Sequence, residues 1–262
     1  MNTARTYLLD NAQAEAARRM QVLAKLYDAT TRHALESTGI AAGWRCLEVG
    51  GGGGTIARWM AERVAPTGSV LATDIDPRHM PVPTPQLRIE RHDIVRDALP
   101  AAQFDLIHAR LVLIHLPERE AVLARLLEAL KSGGWLVIED YDVLSMLPDA
   151  SINPHEVPLA TAAAMRTFMN RGGVNARCGR LLHGQFRALG LREVHAEGRV
   201  LMFDARNGGT ELMRVNFEQV GAQLVAGQLI SEQQLHADLE RLDRDDFAVP
   251  SPVMWTVAGR KS

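Results

Sequence analysis

Five consecutive glycines at residues 50–54 constrain this chain more than any other feature, because they stand directly between a short apolar run and a helical one. Residues 44–49 (WRCLEV) read as a buried strand and residues 55–64 carry helical spacing, so the glycines predict a strand, a tight loop and a helix. Glycine has no Cβ to hold a ligand away and takes positive φ without strain, so such a loop lets backbone approach a bound molecule closely. Further strands and helices follow. A strand at 69–73 ends on Asp74, a turn rich in proline (Pro77, Pro81, Pro83, Pro85) leads to a strand at 87–91 that ends near Asp93, and residues 104–109 (FDLIHA) form the next strand. Pro117 opens a helix to residue 131, Ser132, Gly133 and Gly134 end it, and residues 135–139 (WLVIE) give a fifth strand. Strands alternating with helices of this length predict an α/β chain with a doubly wound parallel sheet and right-handed crossovers.

The glycine loop narrows the ligand. A dinucleotide GxGxxG fails in both registers, since Thr55 ends the one starting at Gly50 and Ile56 the one starting at Gly51. No Lys-Ser/Thr pair follows the glycines, which removes a Walker loop. What fits is acid-x-Gly-x-Gly-x-Gly, formed by Glu48, Gly50, Gly52 and Gly54, with Gly51 and Gly53 held less firmly. A second acid, Asp74, closes strand two with Asp76 two residues on, and a third, Asp93, follows strand three.

This ordered set, with FDLIHARLVLIHLPE, LKSGGWLVIED and the closing MWTVAGRK, resembles class I S-adenosylmethionine-dependent methyltransferases, in particular bacterial small-molecule (natural-product) members. The resemblance covers about residues 44–140 and the last strand, and the opening residues look like the lid helices of natural-product members. It implies a Rossmann-like seven-stranded sheet with N-terminal lid helices and a helical insert after strand five. S-adenosyl-L-methionine is the implied cofactor. In that family the loop of Gly50, Gly52 and Gly54 passes beneath the amino-acid moiety, Glu48 engages the ammonium and Asp74 accepts the ribose hydroxyls. Asp93 receives the adenine amino group, Ile75 and Ile94 wall the base, and Ala109 and Arg110 meet the methionine end.

Three parts of the chain are expected: lid helices at 1–40, a core of 41–142 plus 190–262, and a substrate-facing insert at 143–189. In the first, Leu9, Ala12, Ala16, Met20, Leu23 and Leu26 recur at helical spacing. Tyr7, Asn11 and Arg19 are candidates to close over the cofactor, although Arg18 and Arg19 as a pair read better as a solvated face. Further helices are expected at 158–170, 180–189, 210–225 and 231–242, with strand patterns within 191–203 and at 253–259.

Methyl transfer needs an in-line approach to an electrophilic methyl, and a hydroxyl or acidic carbon can use a base. His115, between strand four and the Pro117 helix, is the candidate, with a satisfied structural histidine as the competing reading. His108 lies inside the strand and reads as packed in the core. Tyr141 and Asp142, beside Asp140 after strand five, are candidate substrate contacts, against helix capping and turn formation by the aspartates. Met165, Phe168, Met169, Met202, Phe203, Met213 and Phe217 line an apolar pocket or are plain core. His155, His183, His195 and His236 are scattered without metal spacing, so no metal is expected.

Twenty-nine Lys and Arg against 31 Asp and Glu leave a net charge of −2, so no positive field draws nucleic acid or anionic membrane. A small-molecule partner is favoured. Cys46 and Cys178 lie far apart without metal spacing, and Cys46 reads as a buried strand residue. No secretory leader and no apolar run of about 18 residues is found, which points to the cytoplasm. Exchange of lid helices would give a homodimer. The function expected is methyl transfer to an O, N or C nucleophile of a small molecule by direct displacement. The alternatives are a methyltransferase for a peptide or other macromolecule, and a cofactor-binding protein that catalyses a non-methylating reaction such as cyclisation.

Overall fold

The computed structural model describes residues 15–145 and 159–262. In chain order the elements are α1 (Glu15–Ser37), β1 (Arg45–Val49), α2 (Thr55–Val64), β2 (Ser69–Asp74), β3 (Leu87–Arg91), β4 (Phe104–Arg110), α3 (Arg119–Ala129) and β5 (Leu130–Asp142). Then follow α4 (Ala160–Arg171), α5 (Cys178–Ala188), β6 (Arg192–Arg199), β7 (Met202–Phe203), α6 (Gly209–Ala226), α7 (Glu232–Leu242), β8 (Val249–Pro250) and β9 (Val253–Arg260). Seven strands form one sheet in the order β3-β2-β1-β4-β5-β9-β6. Strands β1 to β5 run parallel, and β9 is antiparallel to both its neighbours. The chain winds outward from β1 to β3 and then returns to the other side of β1 with β4. The β1–β4 boundary is therefore the switch point at which open α/β sheets bind ligands.

Alternation along the strands divides the core between the two sheet faces, as the pleat requires. Leu47, Ile107, Leu136 and Ile138 face Leu123 and Leu126 of α3 and Leu182 and Phe186 of α5. Cys46, Leu106, Val70 and Val137 face Ile56, Met60 and Val64 of α2 and Leu35 of α1. Both cysteines are buried free thiols. Continuous apolar runs such as LVI in β5 are thus explained by burial on both sides.

Two boundaries differ from the sequence expectation. The Pro117 helix begins only at Arg119, because residues 113–115 first make a short 3-10 turn. Ser132, Gly133 and Gly134 belong to β5 rather than to a loop, since Gly133 N–H donates to Lys261 and Gly134 accepts from Lys261 N–H, which extends the ladder.

The helices after β5 are also shared out differently from a single 143–189 insert. Helix α5 packs on β5, β9 and β6 as part of the sheet layer, whereas α4, α6 and α7 pack on one another and α6 packs on α1. Their common core joins Val22 of α1, Phe203 of β7, Leu212, Met213 and Phe217 of α6 and Leu242 of α7. These helices form a cap over the carboxyl edge of the sheet. Within α5, Leu182 and Phe186 stand four residues apart and give the stripe that seats it on the strands.

Candidate active site

The glycine turn has the geometry its spacing predicts. Gly50, Gly52 and Gly54 take φ of 66°, 52° and 71°, and Gly51 and Gly53 do not need the left-handed region. A Cβ on Gly50 would overlap Val112 Cγ2, and one on Gly54 would overlap Pro81 Cδ. The turn is fastened to β2 by Gly52 N–H, which donates to Asp74 Oδ2 at 3.0 Å. Asp74 also accepts Asp76 N–H at 2.9 Å. Burial pushes its carboxyl above the usual carboxylate range, opposed by these N–H donors. Ile75, the next residue, is 50% exposed, a large apolar side chain left bare beside the turn.

The third acid and its neighbour do more local work. Asp93 accepts Val95 N–H at 2.9 Å and lies 3.5 Å from Arg96, so it shapes the turn after β3. Ile94 is buried in the α3 face of the core rather than open to a ligand.

Beneath the turn, the α1 face of the sheet carries a buried polar row. Glu48 and His108 are register partners on β1 and β4, and Glu48 Oε2 lies 2.6 Å from His108 Nδ1. His108 Nε2 lies 3.3 Å from Glu139 Oε2, and Glu139 also accepts Thr31 Oγ1–H at 2.5 Å and Thr256 Oγ1–H at 2.7 Å. Burial alone would lower the His108 pKa, but the two carboxylates outweigh it and raise the imidazole to about 9. Glu139 is held near 2, its burial outweighed by His108, then Arg110 and Thr31. A histidinium between two carboxylates leaves one net negative charge at the β1–β4 edge. Arg110 continues the row: its guanidinium donates to Thr31 Oγ1 at 2.8 Å and Asp28 Oδ1 at 2.9 Å, so it ties β4 to α1. Ala109 is buried in the core at the same strand end.

Beyond β4 the chain turns sharply. Leu111 takes φ 57°, a left-handed conformation that costs a non-glycine residue about 1 kcal/mol or more. Consecutive side chains then serve two places: Val112 lies against Gly50, and Leu111 lines a cavity of about 160 Å³ under the cap. That cavity is bounded by α1, β5, α4 and α6 and by the 113–115 turn, and His115 lies in its wall. Burial, and secondarily the Arg19 charge, lowers the His115 pKa to about 4, so the imidazole is neutral at physiological pH. The turn that carries it is held by Asp140, whose Oδ2 accepts Ile114 N–H at 3.0 Å. Burial raises the Asp140 carboxyl to about 7 against those backbone donors.

Tyr141 and Asp142 cannot face one ligand, because successive residues of a strand point to opposite faces. Tyr141 lines the cavity and its hydroxyl donates to Tyr27 of α1 at 2.9 Å. Asp142 instead turns to α5, accepts Arg180 Nε–H at 2.5 Å and is buried away from the cavity, which corrects its assignment as a substrate contact. Met165, Met169, Phe203, Met213 and Phe217 line the cavity, Phe168 packs in the cap, and Met202 is exposed. Arg18 is solvated and pairs with Glu211, but Arg19 is 4% exposed, reaches the cavity and donates to Gln219. Its position three after Ala16 and four before Leu23 is the signal that could have placed it on the buried stripe. Tyr7, Asn11 and His155 lie outside the described residues.

Comparison with known proteins agrees with this architecture. A methyltransferase from Strobilurus tenacellus, str2, is 40% identical over 100 residues, which is 37% of this chain and 36% of that protein's length. The chain thus spans little more than a third of that curated relative. The solved phosphoethanolamine N-methyltransferase 2 of Haemonchus contortus, in complex with phosphomonomethylethanolamine and S-adenosylhomocysteine, superposes with TM-score 0.61 at 14% identity. That likeness covers 100% of this chain and 61% of that one. The [4+2]-cyclase SpnF superposes with TM-score 0.50 at 16% identity, over 89% and 81%. The fold is that of these Rossmann-like proteins, and a methyltransferase-domain model matches residues 11–196, so the chain belongs to the methyltransferase-domain family.

Proposed function

We propose that the chain transfers the methyl group of S-adenosylmethionine to an O, N or C nucleophile of a small molecule by direct displacement. One observation carries the reading: at the exit of β4, Val112 touches the glycine turn and Leu111 lines the cavity under the cap, so the two places suited to donor and acceptor adjoin at one sheet edge. The residues fit the cofactor. The turn of Gly50, Gly52 and Gly54 offers close backbone approach, Asp74 suits vicinal hydroxyls, and the net negative charge around Glu48 suits an ammonium. Asp93 and exposed Ile75 lie where an adenine would pass, and Ala109 and Arg110 stand at its methionine end. When bound, the cofactor supplies an electrophilic sulfonium methyl.

The chain's own work is to position and desolvate the acceptor. The apolar walls of the cap draw the acceptor partly out of water, which strengthens its polar contacts. Neutral His115 accepts the acceptor's proton on its imidazole; with a pKa near 4 it does so late, as displacement makes that proton acidic. A cavity volume of about 160 Å³ suits a small molecule, and a net charge of −2 disfavours nucleic acid. Two buried free thiols suit a reducing compartment such as the cytoplasm. Among the described residues no helix is long and apolar enough to cross a membrane.

Calorimetric titration of S-adenosylhomocysteine into wild type and Asp74→Ala tests the reading. One-site binding, weakened about tenfold or more in a folded variant, is expected; no binding to folded wild type sinks it. The likeness to SpnF and the weakly basic His115 also support a second reading, a non-methylating reaction at the same site. Product formed without consumption of the methyl donor would select that reading.

A further inference from the structure

Among the described residues, the cavity under the cap is lined by two arginines and no carboxylate. Arg19 reaches it from α1 and Arg166 from α4, while none of the described lining residues is acidic. Arg166 is half-buried, and no hydrogen bond or ion pair joins it to another described residue. A partly desolvated cation with no anion among the described residues leaves room for a ligand's charge, since proteins normally pair such a group. On α6, Asn216 lines the wall with its Oδ1 buried and accepting no hydrogen bond among the described residues. A buried amide oxygen in that state calls for an O–H or N–H donor. The remaining wall is aliphatic, thioether and aromatic. Its volume of about 160 Å³ is close to that of cavities of ~150 Å³ that take a single benzene ring.

We propose that the acceptor pocket selects a single-ring apolar molecule bearing a carboxylate, with the carboxylate on Arg166 and a hydroxyl or amino hydrogen on Asn216. The proposal rests on the reading of this cavity as the methyl-acceptor site. The planar fork of an arginine matches a carboxylate in a way a point charge does not, so Arg166 gives orientation as well as attraction. Arg19 adds positive potential from α1. A bound carboxylate would offset the Arg19 charge that contributes to keeping His115 neutral, leaving the imidazole more basic in the occupied site than in the empty one. Charge pairing and proton acceptance are thereby coupled through one ligand.

The test uses 3-hydroxybenzoate and its neutral isostere 3-hydroxybenzamide, titrated calorimetrically into the whole chain with and without saturating S-adenosylhomocysteine. The acid is expected to bind about tenfold or more tightly than the amide. In Arg166→Gln that preference is expected to shrink to about twofold, with S-adenosylhomocysteine affinity unchanged as the control for folding. Arg166→Lys, which keeps the charge without the fork, should retain part of the preference. Equal binding of acid and amide to wild type, binding of neither, or a preference that survives intact in Arg166→Gln overturns the proposal. Should Arg166→Gln fail to fold, the wild-type ratio and Arg166→Lys decide it. An acid preference without any binding of S-adenosylhomocysteine would sustain the anion site and instead overturn the methyltransferase reading.

Discussion

The proposed donor side is built from backbone, and the proposed acceptor side from side chains of elements distant in sequence. On the donor side three left-handed glycines, one strand-end aspartate and a buried charged row sit at the rim of a rigid parallel sheet. On the acceptor side, α1, α4 and α6 each contribute a few residues to an apolar wall, with methionines prominent. The turn tolerates almost no addition at Gly50 and Gly54, because a Cβ there meets Val112 or Pro81 at once. A wall of thioethers and aliphatics repacks readily, since such side chains fill irregular space in many ways. The contrast teaches that changes of ligand identity are cheap on the cap and expensive on the sheet edge.

Substitutions can break this contrast or sharpen it. The largest effect is expected at the one polar group of the acceptor wall read as chemical. His115→Ala should lower kcat about 100-fold or more while S-adenosylhomocysteine affinity is unchanged, measured by steady-state kinetics and calorimetry. In wild type kcat/KM, which reports the free enzyme, should be level above about pH 5 and fall as pH drops through 4, because protonation there removes the base. Next comes the turn itself. Gly54→Val forces a β-branched residue to φ 71° and into Pro81, and should weaken S-adenosylhomocysteine about 100-fold. Gly53→Ala, which lies in ordinary φ with only Met20 Cβ at 3.5 Å, should stay within about threefold.

The buried row gives a stability signature with a definite direction. His108 stands near pH 9 folded and near 6.5 unfolded, so the folded state holds its proton more tightly. That stabilisation is full below about pH 6.5 and is lost as pH rises through 9, about 3 kcal/mol in all. Urea denaturation across that window should show the slope in wild type and not in His108→Gln. The smallest effect is expected at the cap: Met213→Leu, a near volume-conserving change, should leave cofactor affinity unaltered and move the acceptor KM about threefold or less.

Much of the donor side could be read from the chain because its determinants are local. The alternation of Glu48, Gly50, Gly52 and Gly54 maps directly onto one strand end and three positive φ values, and Asp74 falls on the last residue of β2. His108, expected in the core, is fully buried there. The acceptor side was legible only as a set of apolar residues. Whether Met165 and Met213 share a wall depends on how α4 packs on α6, a contact between segments far apart in sequence that no periodicity encodes. Arg19 was obscured by its neighbour Arg18, since adjacent residues of a helix point about 100° apart, and one is buried while the other is solvated. Asp142 reads as a substrate contact in the sequence, but the pleat turns it away from Tyr141 and α5 takes it through Arg180, on the face where Asp140 holds Ile114.

The central claim is that a backbone-built donor site adjoins the capped cavity at the exit of β4. A crystal structure with S-adenosylhomocysteine tests it most directly. The account predicts the ligand over Gly50, Gly52 and Gly54, its ribose at Asp74 and its sulfur facing the cavity that holds His115. S-adenosylhomocysteine seated inside the apolar cavity, or bound away from the glycine turn, would contradict it.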